Sequence, residues 1–212
     1  MARAVEGSDI ITFIHKEHTV EEHLKNLMTI NDLSKIGLTT GCHPSDVKKL
    51  IKVLDVIEVG FINIHIANTY ANTKGLVKVI SKLKEKYPHI PISAGVVATT
   101  DMVEFLAKAG VDIIRVGIGG GSACRTRTEV GVGIPQLSAI MECSKVAKKY
   151  NIKIISCGGI ATAGDVCKAM GAGADFVILG GIISNSRECG NITEVDGKNY
   201  VNFYGLGSAK QY

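Results

Sequence analysis

The chain has 212 residues, 46% of them hydrophobic and 21% charged, a size and balance that suit one globular domain with its own core. With 24 glycines, only four prolines and no tryptophan, it reads as neither collagen-like nor disordered, and the glycines are expected at specific turns. The net charge of +4 is spread over helical stretches such as Lys82-Leu83-Lys84-Glu85-Lys86, too dilute for a nucleic-acid surface. No apolar run approaches the roughly 20 residues of a membrane span, and the opening residues lack the apolar centre of a signal peptide. A soluble cytoplasmic protein without membrane or nucleic-acid partners is the expectation.

In chain order, β-branched runs alternate with amphipathic segments. Strands are predicted at 10–14, 36–40, 61–66, 92–97, 113–118, 152–156 and 176–179, most of them nearly continuous in apolar residues, as strands buried on both faces should be. Helices are predicted at 19–31, 45–54, 76–86, 100–109, 136–150 and 164–170, the first opening on the capping box Thr19-x-x-Glu22. Seven strands joined by helices imply parallel pairing through right-handed crossovers. Two phrases, Ala109-Gly110-Val111-Asp112 and Gly171-Ala172-Gly173-Ala174-Asp175, repeat a helix-stop glycine and an aspartate before an apolar strand, the helix-to-strand joint of a (β/α)8 barrel. A doubly wound sheet stays open as an alternative, but its phosphate site belongs in the first βα turn, whereas the glycine-rich turns here follow late strands. The expected fold is therefore α/β, an incomplete TIM (β/α)8-type barrel of about seven strands in one domain over 1–212. A hairpin excursion is expected at 182–203, turning at Asp196-Gly197.

Three glycine turns follow the last three strands: Gly119-Gly120-Gly121, Gly158-Gly159 and Gly180-Gly181. In a barrel these lie at one mouth, where final loops commonly hold a phosphate. Cys124 sits on the first of these loops between Ser122 and Arg127, and Arg125 and Arg127 are expected to favour its thiolate, the nucleophilic form. The six cysteines at 42, 124, 143, 157, 167 and 189 show no CxxC pair, so free thiols are expected. Cys143 and Cys167, on helical patterns, read as buried and inert. Cys42, His43, His65, Cys124 and Cys157 all follow strand ends, which leaves a soft-metal site as a minor alternative. Tyr87 and Tyr150, near helix ends, read as packing residues.

The run from Arg115 to Arg127, with Gly131-Val132-Gly133-Ile134-Pro135-Gln136-Leu137-Ser138-Ala139 after it, resembles the catalytic-cysteine loop and following helix of the GMP reductases in the IMP dehydrogenase/GMP reductase family. The likeness extends through His15-Lys16, Ala67-Asn68-Thr69-Tyr70, Ser93-Ala94-Gly95, Gly158-Gly159, Gly180-Gly181 and Phe203-Tyr204-Gly205. It implies NADPH-dependent conversion of GMP to IMP and ammonia, with Cys124 forming a covalent thioimidate at purine carbon 2 and Thr126 relaying protons. It places Ser122, Cys157, Gly158, Gly159, Gly180, Gly181, Gly205, Leu206 and Gly207 around the nucleotide. Lys16, His65, Ile66, Ala67, Ile118 and Gly119 fall where the family contacts the dinucleotide. Gly119, Gly121, Cys124 and Arg127 match the residues that hold potassium or another monovalent cation. Family members are commonly homo-oligomers, which is the expectation for a completed barrel.

Several positions depart from the family pattern. Cys157 replaces the aspartate that holds the ribose hydroxyls, His65 replaces an aspartate, and Thr69, Val96, Gly120 and Arg125 stand at other altered positions. Residues 10–14 align with the second of the family's eight strands, and the flap glutamate that completes the proton relay lies beyond the residues matched. Two expectations follow from the resemblance, a GMP reductase and a non-catalytic relative that keeps a purine-nucleotide, phosphate or subunit-binding role.

Overall fold

Seven strands form one sheet in unbroken chain order: β1 (Thr12–Ile14), β2 (Ile36–Thr40), β3 (Phe61–His65), β4 (Ile92–Val97), β5 (Ile113–Val116), β6 (Lys153–Cys157) and β7 (Phe176–Ile178). Between them run α1 (Val20–Leu27), α2 (Pro44–Leu54), α3 (Thr73–Lys86), α4 (Thr100–Lys108), α5 (Thr126–Val130), α6 (Gln136–Lys149) and α7 (Ala163–Gly171), with α8 (Gly181–Ser184) after β7. The computed structural model describes residues 2–67, 69–184, 186–189, 192–201, 203 and 205. Neighbouring strands pair in parallel, as in the registers Phe13↔Gly37, Leu38↔Ile62, Asn63↔Ser93 and Ser156↔Val177. A doubly wound sheet reverses its strand order; this one never does, so the topology is that of an incomplete (β/α)8 barrel.

The chain divides into two compact units, one made of residues 1–95 and 105–113 and the other of 96–104 and 114–212. In the first, β2 is buried along its whole length, and Leu27, Leu38, Ile62, Ile64, Leu76, Ile80, Leu83 and Leu106 form the fully buried core. The Thr19 hydroxyl accepts from Glu22 N while the Glu22 carboxylate accepts from Thr19 N, so the predicted capping box closes reciprocally. Helix α3 begins at Thr73, earlier than the apolar periodicity suggests, because the Asn72 carboxamide accepts from Gly75 N at 3.1 Å. Asp112 Oδ2 accepts from Ile92 N at 2.7 Å and from Lys84 Nζ at 2.6 Å, which ties the helix-to-strand joint to the start of β4.

The second unit repeats that joint. Asp175 Oδ2 accepts from Ile154 N in β6 at 2.8 Å, and Oδ1 accepts from Lys153 Nζ at 2.9 Å. Its core packs Val97, Val103, Ile114, Val116, Ile140, Cys143 and Ile154. Strand β5 stops at Val116 rather than at 118, because Gly117 turns to φ +132. Helix α5 went unpredicted because it has no buried residue and hence no apolar period. Strands β8 (Ile192–Val195) and β9 (Lys198–Val201) form an antiparallel hairpin that turns through Asp196 and Gly197, both at positive φ.

Candidate active site

The excursion between β5 and α6 carries the cysteine loop, and its shape comes from close backbone packing. Cys124 N donates to Gly121 O at 3.0 Å, closing a tight turn, and the exposed Cys124 thiol donates to Thr126 Oγ1 at 3.3 Å. Thr126 starts α5, so the short helix fixes the hydroxyl beside the sulfur. Gly158, at φ +102, lies against the loop; a Cβ there would fall 2.9 Å from Gly121 N and 3.0 Å from Gly120 C, so this approach requires glycine. Ser122 Oγ sits beside Gly181, 2.6 Å from where its Cβ would be, and Gly205 comes as close to the Ala123 carbonyl, 2.7 Å by the same measure.

Residues 119–124, 158–159, 181 and 205 thus belong to one unit, and Gly180 immediately precedes α8. Leu206 and Gly207 lie outside the described residues. Cys157 is half-buried, and its Sγ accepts from Arg115 Nη2 at 3.2 Å. Ile118 is buried in a small cluster with Val96 and Ala98, against which Cys157 and Ile134 pack.

Both arginines that flank Cys124 have partners of their own. Arg125 forms an ion pair with Glu129 at 2.7 Å, one helical turn on, and Arg127 Nη2 donates to Ile134 O at 2.7 Å. The exposed Arg127 side chain lies along Gly119 and Gly133, where an added Cβ would meet it. The spacing Arg125-x-x-x-Glu129 was the overlooked signal. Cys167 is exposed, contrary to expectation, because it lies on the outer face of α7, where only Ala169 is buried. Cys143 is buried as expected, and burial pushes its thiol pKa up to about 11, with Asp101 and Glu142 adding to the effect. Among the described residues no group of three His, Cys, Asp or Glu side chains is placed to hold a metal, which removes the soft-metal alternative.

The remaining dinucleotide candidates belong to the first unit. Lys16 Nζ lies 3.1 Å from Asp46 Oδ2 and 3.5 Å from Glu17 Oε1, and Lys49 Nζ donates to the Lys16 carbonyl. Partial burial disfavours the Lys16 charge, but the two carboxylates outweigh it and raise its pKa above the ordinary lysine value. His65 ends β3 in register with Gly95, Ile66 N donates to Gly95 O at 2.9 Å, and Ala67 follows, exposed.

Comparisons with known proteins fit this geometry. The IMP dehydrogenase / GMP reductase domain matches residues 1–212. The chain is 44% identical to a GMP reductase of Vibrio atlanticus and 40% identical to one of Ascaris suum, in each case over 98% of this chain and 60% of the relative. It therefore spans 60% of the length of the curated relatives it matches. Among solved structures, a cysteine-to-alanine variant of GMP reductase from Trypanosoma brucei, in complex with guanosine 5'-monophosphate, aligns with a TM-score of 0.72 at 32% identity, covering 77% of this chain and 34% of that one. The chain belongs to the IMP dehydrogenase / GMP reductase family.

Proposed function

We propose that this chain carries the nucleotide and thiol half of a GMP reductase, which converts GMP to IMP and ammonia. The observation that carries the reading is the Cys124 thiol held at 3.3 Å from Thr126 Oγ1 on a loop cradled by glycine turns. The exposed sulfur attacks purine carbon 2, the amino group leaves as ammonia, and the nucleotide stays on Cys124 as a thioimidate. Thr126, which accepts from the thiol, takes up its proton path toward the leaving amine. Backbone groups of Gly158, Gly159, Gly180 and Gly181, with the Ser122 hydroxyl, bind the phosphate.

Bound NADPH would supply a hydride to carbon 2, after which the Cys124 thiol would be released. Lys16, two residues beyond β1, supplies the cation for such an anionic ligand and is held in place by Asp46 and Glu17. Lys16, His65, Ile66, Ala67, Ile118 and Gly119 are the contacts that the family resemblance proposes for it. The carbonyl oxygens of Gly119, Gly121 and Cys124, with Arg127, would hold a potassium or other monovalent ion. GMP-dependent NADPH oxidation that disappears in Cys124→Ala tests the whole assignment, and its absence from folded wild-type protein overturns turnover by this chain.

One observation favours a second reading, a nucleotide-binding relative without turnover. Cys157 occupies the place of the family's ribose-holding aspartate, and its sulfur is engaged by Arg115. GMP binding without NADPH oxidation would support that reading.

A further inference from the structure

The loop that carries Cys124 leaves the sheet at Val116 and ends at the first residue of α6, Gln136. Pro135 caps that helix without a side-chain hydrogen bond, and the Gln136 side chain turns back to the sheet. Its Nε2 donates to Val116 O at 2.8 Å and to Ser156 Oγ at 3.1 Å. The first bond closes the base of the excursion across 20 residues of chain, and the second fastens that base to β6, one residue before Cys157. Ser156 is fully buried, so the second bond is sheltered from water.

The other end of the amide faces the glycines. Gln136 Oε1 is buried and has no donor among the described residues. It lies against Gly117, where a Cβ would overlap it, and 3.5 Å from the Cβ position of Gly120. The Gln136 stem also touches the second turn, its Cβ 3.6 Å from the Cβ position of Gly159. Reversing the amide would set Oε1 against the Val116 carbonyl, two acceptors facing each other, so the orientation follows from chemistry. One side chain therefore meets both ends of the cysteine excursion, the buried serine of β6 and the glycines of two turns.

We propose that Gln136 is a positioning residue for the Cys124 loop, acting as a clasp that holds residues 117–125 against the Gly158-Gly159 turn. The proposal deepens the nucleotide reading given above and rests on it for its functional meaning. Without the clasp, the chain entropy of closing so long an excursion falls on the bonds within it, among them Cys124–Gly121, Arg125–Glu129 and Arg127–Ile134.

The test compares wild type with Gln136→Met, which keeps length and removes both bonds, by amide hydrogen exchange and by mass-spectrometric alkylation of Cys124 with iodoacetamide in the presence and absence of GMP. Exchange across 117–125 is expected to rise about tenfold while α7 keeps its protection, as two lost hydrogen bonds at one locus imply. The GMP concentration that protects Cys124 is expected to rise by a similar factor. Exchange in 117–125 that stays within about twofold of wild type, or that rises equally in α7, overturns the proposal. Should Gln136→Met fail to fold, Ser156→Ala removes one bond and is expected to raise exchange in the same segment about threefold; no rise overturns the proposal. Wild-type Cys124 that GMP does not protect counts against the nucleotide reading alone, since the exchange comparison still decides the role of Gln136.

Discussion

Arg115 and Cys157 meet side chain to side chain, with the guanidinium Nη2 donating to Sγ at 3.2 Å, although sulfur is a weak acceptor for a buried permanent cation. An aspartate at 157 would offer Arg115 a charged acceptor in place of sulfur and, under the proposed function, an acceptor for the ribose hydroxyls of GMP. Cys157→Asp is expected to tighten GMP binding about tenfold, the gain from one charge-assisted hydrogen bond, whereas Cys157→Ala is expected to give no gain. Isothermal calorimetry decides it: equal affinity in wild type and Cys157→Asp would show that position 157 does not reach the nucleotide.

Acid should weaken the first unit through a buried imidazole. His23 is 3% exposed on α1, its ring 5.3 Å from that of His18, and burial above all, then the nearby His18 and Lys49, pushes its pKa down to about 4; Glu22 opposes the shift and His15 adds to it. The folded protein keeps His23 neutral while the unfolded chain protonates it near the usual 6.5, so between those values the unfolded state binds more protons. The stability is complete above about pH 6.5 and is lost progressively as the pH falls toward 4. The loss is expected to reach about 3 kcal/mol in urea titrations, and His23→Leu should flatten the dependence in that window. A His23→Leu protein with the same slope would refute the assignment.

Thiol chemistry should sort by environment. Cys124 and Cys167 are exposed, Cys143 is fully buried, and Cys42 is half-buried with its pKa pushed up to about 11 by burial and then by Asp46. Brief alkylation of the native protein is expected to label Cys124 and Cys167, leaving Cys143 and Cys42 unmodified until denaturant is added. Early labelling of Cys143 would mean that α6 opens locally.

The Gly158 turn should tolerate no side chain. Gly158→Ala imposes a positive φ on alanine and drives its Cβ into the backbone of Gly120 and Gly121, with an expected cost of about 1–3 kcal/mol. GMP should then protect Cys124 poorly from alkylation. An unchanged melting temperature and unchanged protection would show that the two turns can separate freely.

Much of this architecture is legible in local sequence. The β-branched runs locate all seven strands because parallel strands are buried on both faces, and Thr19-x-x-Glu22 forms the reciprocal cap that its spacing implies. What escapes is tertiary. The first strand begins at Thr12 rather than at Ile10, which is 49% exposed, because an apolar residue extends a strand only where a neighbour accepts its hydrogen bonds. Cys167 looked interior on a helical pattern, but burial depends on which stripe of α7 faces the sheet. Local sequence places Gln136 at a helix start but gives no sign of its side-chain role, since its contacts at Val116 and Ser156 are each 20 residues away. Arg115 did carry a signal, a charge inside the otherwise apolar run Ile113-Ile114-Arg115-Val116.

The paired aspartates Asp112 and Asp175 bear on how the chain reaches its native state. Each reaches back about one βα repeat to hold an amide near the start of the preceding strand, Ile92 in one case and Ile154 in the other. Such latches let a newly formed strand be registered by its immediate successor, without waiting for distant segments to meet. Each joint closes about 20 residues of chain, a modest loop-closure cost, so these two are natural places for the sheet to grow by stepwise addition. Replacing either aspartate by alanine should therefore slow refolding as well as weaken the product, a double signature that kinetic measurements can separate from simple loss of stability.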